Sequence, residues 1–549
     1  MCGIFGAIGN NCVSNTLDAL AQLEYRGYDS VGVAVKRGDG LQVYKDVGRV
    51  DRLVVDTTQG TLAIGHTRWA THGKVCKQNA HPFVSYDGNF AVVHNGIVEN
   101  YQRHKISLQK QGVEFASTTD SEVIAHLLAK HYDGNVVSTI KRVAKMLTGS
   151  FAVVVATTFD NNIYAYKRGS AMCVGKGDDG VCVCSDVSVV GQFASSVAIL
   201  PDGCIAQLSE NSVVAYLDDR KIELAYFAPS CDTNVPSQVD GDFMLNEIMQ
   251  IPKAIRQTFD YYFASGGLCL GKKDIKKIKQ VYFVGCGTAY HSAVVACSLL
   301  QKFTNLSCQA VVASEYVYDN YFTNSNTLVV AISQSGETAD TLKAVEKAKK
   351  RGAIVYAVTN VCNSSLCFAS NYVKYIKAGR EVSVASTKAY NCQLVALTLL
   401  VLDLAMQKGC ISARQRKRYI ADFAQVPTAC HQLINQSQRY QSLAIKHKDV
   451  NAVYFVGRRL DIATAKEGAL KLKEISYVFA EAYPSGELKH GTLAVMDNNV
   501  LVVAVSCEKD LVDKCSNTIA EVTSRGATAL VVSPYEVDAS KAHAVVLQQ

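Results

Sequence analysis

Cys2 follows the initiator methionine directly. Trimming of Met1, usual before a small residue, leaves one residue carrying both a thiol and a free α-amino group. An α-amino group has a pKa of roughly 8, so near neutral pH it can take the thiol's proton, and a nucleophile with its own base is a known activation scheme. Three polar segments could serve it. The run His66-Thr67-Arg68-Trp69-Ala70-Thr71-His72-Gly73 holds the only Trp in the chain; the others are His94-Asn95-Gly96 and Thr119-Asp120-Ser121-Glu122. Arg68 suits a bidentate hold on a carboxylate, and Asp120 suits an ammonium. The Asn95 side-chain amide and the Gly96 backbone N–H suit an oxyanion. Taken singly, each also reads as a Gly-rich loop with a satisfied Asn and a surface Arg–Asp pair.

A second group of residues lies far along the chain. Ser333-Gln334-Ser335-Gly336-Glu337-Thr338 sits between an apolar run and a helix-like stretch. Backbone N–H groups at a helix N-terminus, the helix dipole and three hydroxyls there favour a phosphate. Gly285-Cys286-Gly287-Thr288 ends another apolar run in the same way. Neither is a P-loop, for want of Gly-Lys-Ser/Thr, nor a dinucleotide fingerprint, for want of the third Gly; turn and cap chemistry is the alternative. Further on, Lys471 and Glu474 are three apart and share a helix face, and Gly486–Gly491 brings His490. A carboxylate and a His near a bound sugar can move protons; an amphipathic helix with exposed charges is the alternative.

The elements that must position these residues differ along the chain. The 549 residues suggest three or four domains. Residues 2–225 carry short strand-like runs, Val31–Val35, Leu62–Ile64, Phe90–Val93, Phe151–Thr157, Asn162–Tyr166, Val181–Cys184 and Val213–Leu217, with a few helical stretches such as Ser121–Tyr132 and Val136–Leu147. This predicts an α+β domain of stacked sheets. After a linker at 226–269, strands and helices alternate: Val281–Val284, Thr288–Phe303, Thr327–Ile332, Thr338–Arg351 and Ala353–Val358. That alternation predicts a doubly wound parallel sheet.

An internal repeat doubles this α/β unit. Val-Tyr-Phe-Val-Gly occurs at 281–285 and 453–457, NTLVVAIS at 326–333 answers NVLVVAVS at 499–506, and Arg-Gly-Ala occurs at 351–353 and 525–527. The predicted copies span 270–409 and 443–549, with connecting helices at 410–442. In the second copy the hydroxyl loop is replaced by Ser506-Cys507-Glu508-Lys509-Asp510-Leu511, whose two acidic residues would repel phosphate. One phosphate site per chain is therefore expected. Gln549 corresponds to about Tyr375, so the second copy is expected to be incomplete by one strand-to-helix crossover.

Charged residues make up 19% and hydrophobic ones 48%, an ordinary globular composition. The net charge of +7 is scattered, which argues against a nucleic-acid partner. None of the 19 Cys has zinc-site spacing, so no metal is expected, and free thiols suit a reducing compartment. The N-terminus has no basic region of a secretory signal, and the longest apolar run, Leu394–Met406, is short and broken by Asp403. A cytoplasmic protein without a membrane partner is expected.

Cys-Gly-Ile-Phe-Gly at 2–6, Tyr-Arg-Gly-Tyr-Asp-Ser at 25–30, and the motifs at 66–73 and 94–96 together resemble the class II glutamine amidotransferase domain, an N-terminal-nucleophile glutaminase. The resemblance implies a four-layer αββα fold, attack of Cys2 on the glutamine amide, an oxyanion hole of Asn95 and Gly96, and glutamine held by Arg68, Thr71, His72 and Asp120. The repeat resembles tandem SIS (sugar-isomerase) domains. The combination resembles the isomerising glutamine–fructose-6-phosphate aminotransferase family. It implies a sugar phosphate bound by Thr288, Ser333, Gln334, Ser335 and Thr338, with Val384 and Ser386 lining the sugar. Glu474 would be the isomerisation base between C1 and C2, and His490 would serve ring opening. Ammonia would travel internally past a gate at Trp69, in a homodimer needing no cofactor. Ala289 stands where the family has Ser. The family also continues beyond this point into a tail whose Lys forms a Schiff base; Lys471 is a conceivable substitute. On that count the alternative is a sugar-phosphate-binding or regulatory protein that keeps only glutaminase activity.

Overall fold

The computed structural model describes residues 2–57, 59–229 and 242–537. The chain divides near residue 235 into two compact units.

The first unit holds two seven-stranded sheets of antiparallel strands. In one, the order is Ser196–Ile199, Cys173–Gly177, Gly180–Cys184, Gly3–Gly9, Leu62–Arg68, Ser30–Arg37, Gly40–Val47. In the other it is Arg220–Ile222, Ser212–Leu217, Ile205–Ser209, Ile163–Arg168, Phe151–Thr157, Phe90–Gly96, Phe83–Val84. Ile4, Ile64 and Val183 of the first meet Val93, Val154 and Ala165 of the second in a shared core. The outer face of the first packs on helix Cys12–Leu23 through Val13, Leu20 and Leu23. The outer face of the second packs on Glu122–His131 and Val136–Met146 through Val123, Leu127 and Ile140. This is the αββα layering that the resemblance implied. Both sheets are covered on both sides, so their central strands are continuously apolar rather than alternating; Phe151–Thr157 is buried throughout.

Strand Gly3–Gly9 was not foreseen, because GIFGAIG is poor in strand formers. Its glycines are there for close packing. A Cβ on Gly3 would lie 2.7 Å from both Leu23 Cβ and Thr67 Oγ1. The strand runs through the middle of the sheet and carries Cys2 at its start.

The Tyr-Arg-Gly-Tyr-Asp-Ser motif anchors this arrangement. Arg26 Nη2 lies 2.7 Å from Asp186 Oδ2, with both side chains buried, and the Tyr25 hydroxyl donates to the same oxygen. Burial alone would raise the Asp186 carboxyl, yet the Arg26 guanidinium and the Ser188 hydrogen bonds hold it well below the usual carboxylate range. Asp29 Oδ2 accepts the Ala70 N–H at 2.8 Å and so ties the motif to the loop after Arg68.

The second unit holds two parallel sheets. One has five strands, ordered Ser307–Val312, Gln280–Gly285, Thr327–Ser333, Ile354–Thr359, Tyr372–Tyr375; the other has four, ordered Phe479–Pro484, Ala452–Gly457, Val500–Val505, Thr528–Val532. The repeated segments occupy equivalent strands. Among the described residues the second sheet has no counterpart of Tyr372–Tyr375, and residues 538–549 lie outside the described part.

The stretch 226–269, read from sequence as a linker, holds a 22-residue helix, Phe243–Ala264. Its Ile255 and Tyr262 pack on Val395 and Leu399 of helix Lys388–Gln407. Residues 413–442 fall within three helices, Ala413–Phe423, Val426–Ile434 and Ser437–Lys446, and the turns joining them, with Ser412 capping the first. Helix Lys388–Gln407 is long and apolar enough to cross a membrane, yet most of it is buried within the protein. Its Asp403 pairs with Arg416 and accepts the Tyr262 hydroxyl at 2.9 Å.

Asp186→Ala should leave the Arg26 charge buried and unpaired, and destabilise the first unit by about 3–5 kcal/mol. The midpoint of chemical denaturation checks this; a change under about 0.5 kcal/mol, as for a surface site, would show that the pair is not an anchor.

Candidate functional site

In the first unit, the register that pairs Gly3 with Thr67 puts Cys2 beside Arg68 and Trp69. The Trp69 N–H points at Cys2 Sγ, 3.3 Å away. Burial pushes the Cys2 thiol above its ordinary value, against this N–H and the Arg68 charge. A thiol so raised is uncharged at neutral pH and needs a base to become a nucleophile.

Strand Phe90–Gly96 of the other sheet ends at the same place. His66 Nε2 lies 3.0 Å from both the His94 carbonyl and Asn95 Oδ1. Both neighbours are acceptors, so Nε2 carries the proton. Asn95 Oδ1 is thereby engaged, and its Nδ2 donates to the Cys2 carbonyl at 3.1 Å. The amide N–H edge is aimed at Cys2 because the other edge is held. Gly96 has φ 112°, and a Cβ there would sit 2.1 Å from the Ser150 carbonyl oxygen. Only glycine fits, and its N–H stays at the strand end next to Asn95.

Asp120 is buried. Its Oδ2 accepts the Val98 N–H at 2.8 Å, which ties it to the loop after Gly96. The Arg68 guanidinium donates to the carbonyls of His72, Gly73 (3.3 Å) and Lys74 (3.4 Å), folding loop 69–74 back over itself. Thr71 lies on that loop beside His72, with 3.4 Å between Oγ1 and Nδ1. Trp69 is 37% exposed. The structure thus gathers Cys2, Arg68, Trp69, Asn95, Gly96 and Asp120, and puts Thr71 and His72 on the adjoining loop without a described contact to Cys2.

Sequence reasoning gave no role to the buried histidines behind Asn95. His66 stacks on His81 at 4.0 Å between ring centroids, and His94 Nδ1 meets Ser121 Oγ at 2.8 Å. Burial lowers His66 to about 3 and also lowers His81 and His94.

In the second unit, strands Gln280–Gly285 and Thr327–Ser333 are parallel neighbours, so the loops at their C-terminal ends lie side by side. Ser333 Oγ bonds Thr338 Oγ1 at 2.9 Å and accepts the Gly336 N–H at 3.0 Å, while Ser335 Oγ accepts the Glu337 N–H at 3.2 Å. The Gln334 carbonyl accepts the Asn360 N–H at 3.0 Å. The loop is a preformed hydroxyl-rich turn ahead of helix Ala339–Lys350.

Helix Leu460–Ser476 of the second copy packs on helix Thr288–Phe303 of the first. Lys471 Nζ lies 2.6 Å from Glu474 Oε2, as their shared face requires, and 3.1 Å from Thr288 Oγ1. Glu467, buried, accepts the Thr288 hydroxyl at 2.9 Å and lies 2.7 Å from His291 Nδ1. Glu467 and His291 were missed from sequence. The usable signal was spacing: 467, 471 and 474 fall on one helix face.

Val384 and Ser386 lie just ahead of helix Lys388–Gln407. Val384 is 42% exposed, and Ser386 Oγ donates to Glu381 at 2.8 Å. His490 is exposed; no described contact joins it to Glu474.

Glu508 and Asp510 both pair with Arg459, at 2.8 and 3.2 Å. One guanidinium against two carboxylates leaves that cluster of three with one net negative charge.

The buried histidines have a measurable consequence. In the unfolded chain they protonate near pH 6.5; folded, His66 stays neutral down to about 3. Stability of the first unit should be full above about pH 6.5 and fall as the pH drops toward 3, by up to about 1.4 kcal/mol per pH unit for each ring. In the folded chain, the imidazole NMR signals of His66 and His81 should not titrate between pH 5 and 8. A ring titrating near 6.5 would refute their burial as neutral groups.

Comparison with known proteins agrees with this division. The SIS domain family matches residues 274–403 and 448–536, and the glutamine amidotransferase domain family matches 66–186. The chain is 39% identical over 541 residues to a glutamine–fructose-6-phosphate aminotransferase (isomerizing) of Caldanaerobacter subterraneus, covering 96% of this chain and 89% of that protein. It is 37% identical over 545 residues to one of Thermus thermophilus, covering 97% and 90%. Among solved structures, the C-terminal domain of glucosamine-fructose-6-phosphate aminotransferase from Francisella tularensis matches with a TM-score of 0.54 and 36% identity, over 57% of this chain and 91% of that one.

Proposed function

The chain belongs to the glutamine–fructose-6-phosphate aminotransferase (isomerizing) family, and we propose that the groups described above divide its reaction between the two units. It transfers the amide nitrogen of glutamine to fructose 6-phosphate, giving glucosamine 6-phosphate and glutamate. Relatives matched over nearly their whole length favour this over a binding protein with residual glutaminase activity.

Glutamine is held by its carboxylate at Arg68 and its ammonium at Asp120, with Thr71 and His72 closing the loop side. The Cys2 thiol attacks the amide carbon, and its own α-amine takes the proton and passes it to the leaving ammonia. The tetrahedral oxyanion is met by Asn95 Nδ2–H and Gly96 N–H. The observation that carries this reading is the aimed Asn95 amide, with Oδ1 held by His66 and Nδ2 facing Cys2. Water then releases glutamate from the thioester. Trp69, whose backbone N–H touches Cys2 Sγ, gates passage of the ammonia with its side chain.

The sugar phosphate sits on Thr288, Ser333, Gln334, Ser335 and Thr338, with Val384 and Ser386 along the sugar. Glu474 moves the proton between C1 and C2 of the opened sugar, and His490 serves ring opening. Lys471, which bonds Glu474 at 2.6 Å and Thr288 at 3.1 Å, supports both roles electrostatically. We also assign the protein to hexosamine biosynthesis in the cytoplasm, as a homodimer; the free state of every described cysteine suits a reducing compartment.

With both substrates present, glucosamine 6-phosphate should appear in step with glutamate, and Cys2→Ala should abolish both while leaving the fold intact. Glutamate release by Cys2→Ala would overturn the nucleophile; glutamate without amino sugar from the unaltered chain would favour the binding-protein alternative. Asn95→Ala should be milder than Cys2→Ala, lowering glutaminase kcat by about 10²–10³.

A further inference from the structure

The two copies of the α/β unit present equivalent pairs of loops, and one of the differences between them bears on which copy can hold an anion. Gly285-Cys286-Gly287-Thr288-Ala289 in the first copy corresponds to Gly457-Arg458-Arg459-Leu460-Asp461 in the second. The backbone is conserved even where the residue is not. Gly287 has φ 53° and ψ −125°, and Arg459 has φ 50° and ψ −121°. A positive φ disfavours a side chain, so the fold keeps this turn against local preference. A helix N-terminus follows the turn in both copies.

What faces that N-terminus is different. The counterpart of Ala289 is Asp461, a buried carboxylate in the first turn of helix Leu460–Ser476. Its Oδ2 accepts the Cys507 N–H at 2.9 Å, and Cys507 corresponds to Gln334 of the hydroxyl loop. The carboxylate therefore spans the gap between the two loops, where the first copy is open to a ligand.

The rest of the pocket brings hydroxyls and a guanidinium close to this position. Gly457, Arg458, Asp461, Ser485, Ser506 and Cys515 surround a cavity of about 10 Å³, room for one water and none for a phosphate. Ser506, the counterpart of Ser333, is 3% exposed, and its hydroxyl bonds the Cys515 thiol. Arg458 forms no ion pair with a described residue, and its Nε is buried without a partner. Buried polar groups of this kind are rarely left unsatisfied; a helix N-terminus, a hydroxyl and a guanidinium around one cavity select an anion. Burial pushes the Asp461 carboxyl up from its ordinary value and the nearby Glu508 charge adds to this, against the Cys507 N–H.

We propose that Asp461 is an internal substitute for phosphate: its carboxylate fills the anion position of the second copy, closes that copy to sugar phosphates, and leaves a latent phosphomonoester site of Arg458, Ser485 and Ser506 behind it. This rests on the assignment of Ser333–Thr338 as the phosphate loop of the first copy, and the test separates the two. Binding of fructose 6-phosphate to the full chain is followed by calorimetry. The unaltered chain should show one site, and Ser333→Ala with Ser335→Ala should remove it; if that site survives, the loop assignment is wrong. Asp461→Ala, which copies Ala289, should show two sites, and one should remain when the serine pair is also replaced. Inorganic phosphate should compete at the new site. Asp461→Ser, which keeps a short acceptor for the Cys507 N–H without the charge, is read in the same way if the alanine variant does not fold. Binding at the first-copy site with its ordinary affinity shows that the second unit of the variant is intact. A folded variant that still binds one sugar phosphate per chain would reduce Asp461 to a helix cap and overturn the proposal.

Discussion

The Glu467 carboxylate is buried and belongs to the second copy of the repeat, while the groups that satisfy it, the Thr288 hydroxyl and the His291 ring, belong to the first. A buried carboxylate without partners costs several kcal/mol. Helix Leu460–Ser476 therefore cannot slide along helix Thr288–Phe303 without orphaning that charge. The constraint propagates one turn on. Lys471, 3.6 Å from Glu467, reaches back to Thr288 and forward to Glu474. The carboxylate proposed to move the sugar proton is thus held in register with the loop proposed to hold the phosphate. On that proposal the two copies form a single site because they share this interaction.

The glutaminase unit uses buried polar contacts in the same way. The neutral His66 ring engages Asn95 Oδ1 and so orients the amide that faces Cys2. The Arg26–Asp186 pair fixes the start of strand Ser30–Arg37, and Asp29 ties that region to the loop after Arg68. In each case the group near the chemistry is positioned by a desolvated partner that would be costly to leave unmatched. Such partners specify one arrangement of loops that apolar packing alone would leave adaptable.

Much of this was legible in the sequence, and the omissions have physical causes. Runs such as Phe151–Thr157 and Thr327–Ser333 are apolar throughout because their sheets are covered on both faces, and the repeat aligned the two parallel sheets. Helix Thr288–Phe303 is found where its pattern put it. Strand Gly3–Gly9 was hidden because the glycines that let it pack so closely are weak strand formers. Helix Phe243–Ala264 was hidden because Pro252 and its flanking polar residues resemble a linker. Among the residues gathered at the candidate sites, those with a distinctive motif stood out in the sequence: Cys2, Arg68, Asn95 and the hydroxyl loop. Glu467, His291 and Asp461 were not. Their roles arise from contacts between segments far apart in sequence, and an isolated Glu or Asp on a helix looks like any solvated charge.

The central claim is that Glu467 joins the two copies into one sugar site. It is tested most directly by measuring solvent deuterium uptake into the sugar phosphate, with fructose 6-phosphate and no glutamine, for Glu467→Gln. Losing the charge-assisted bonds to Thr288 and His291 should slow the uptake by about 10-fold or more, while glutamine hydrolysis in the first unit proceeds at its ordinary rate. Deuterium uptake at an unaltered rate in a folded Glu467→Gln chain would contradict the account.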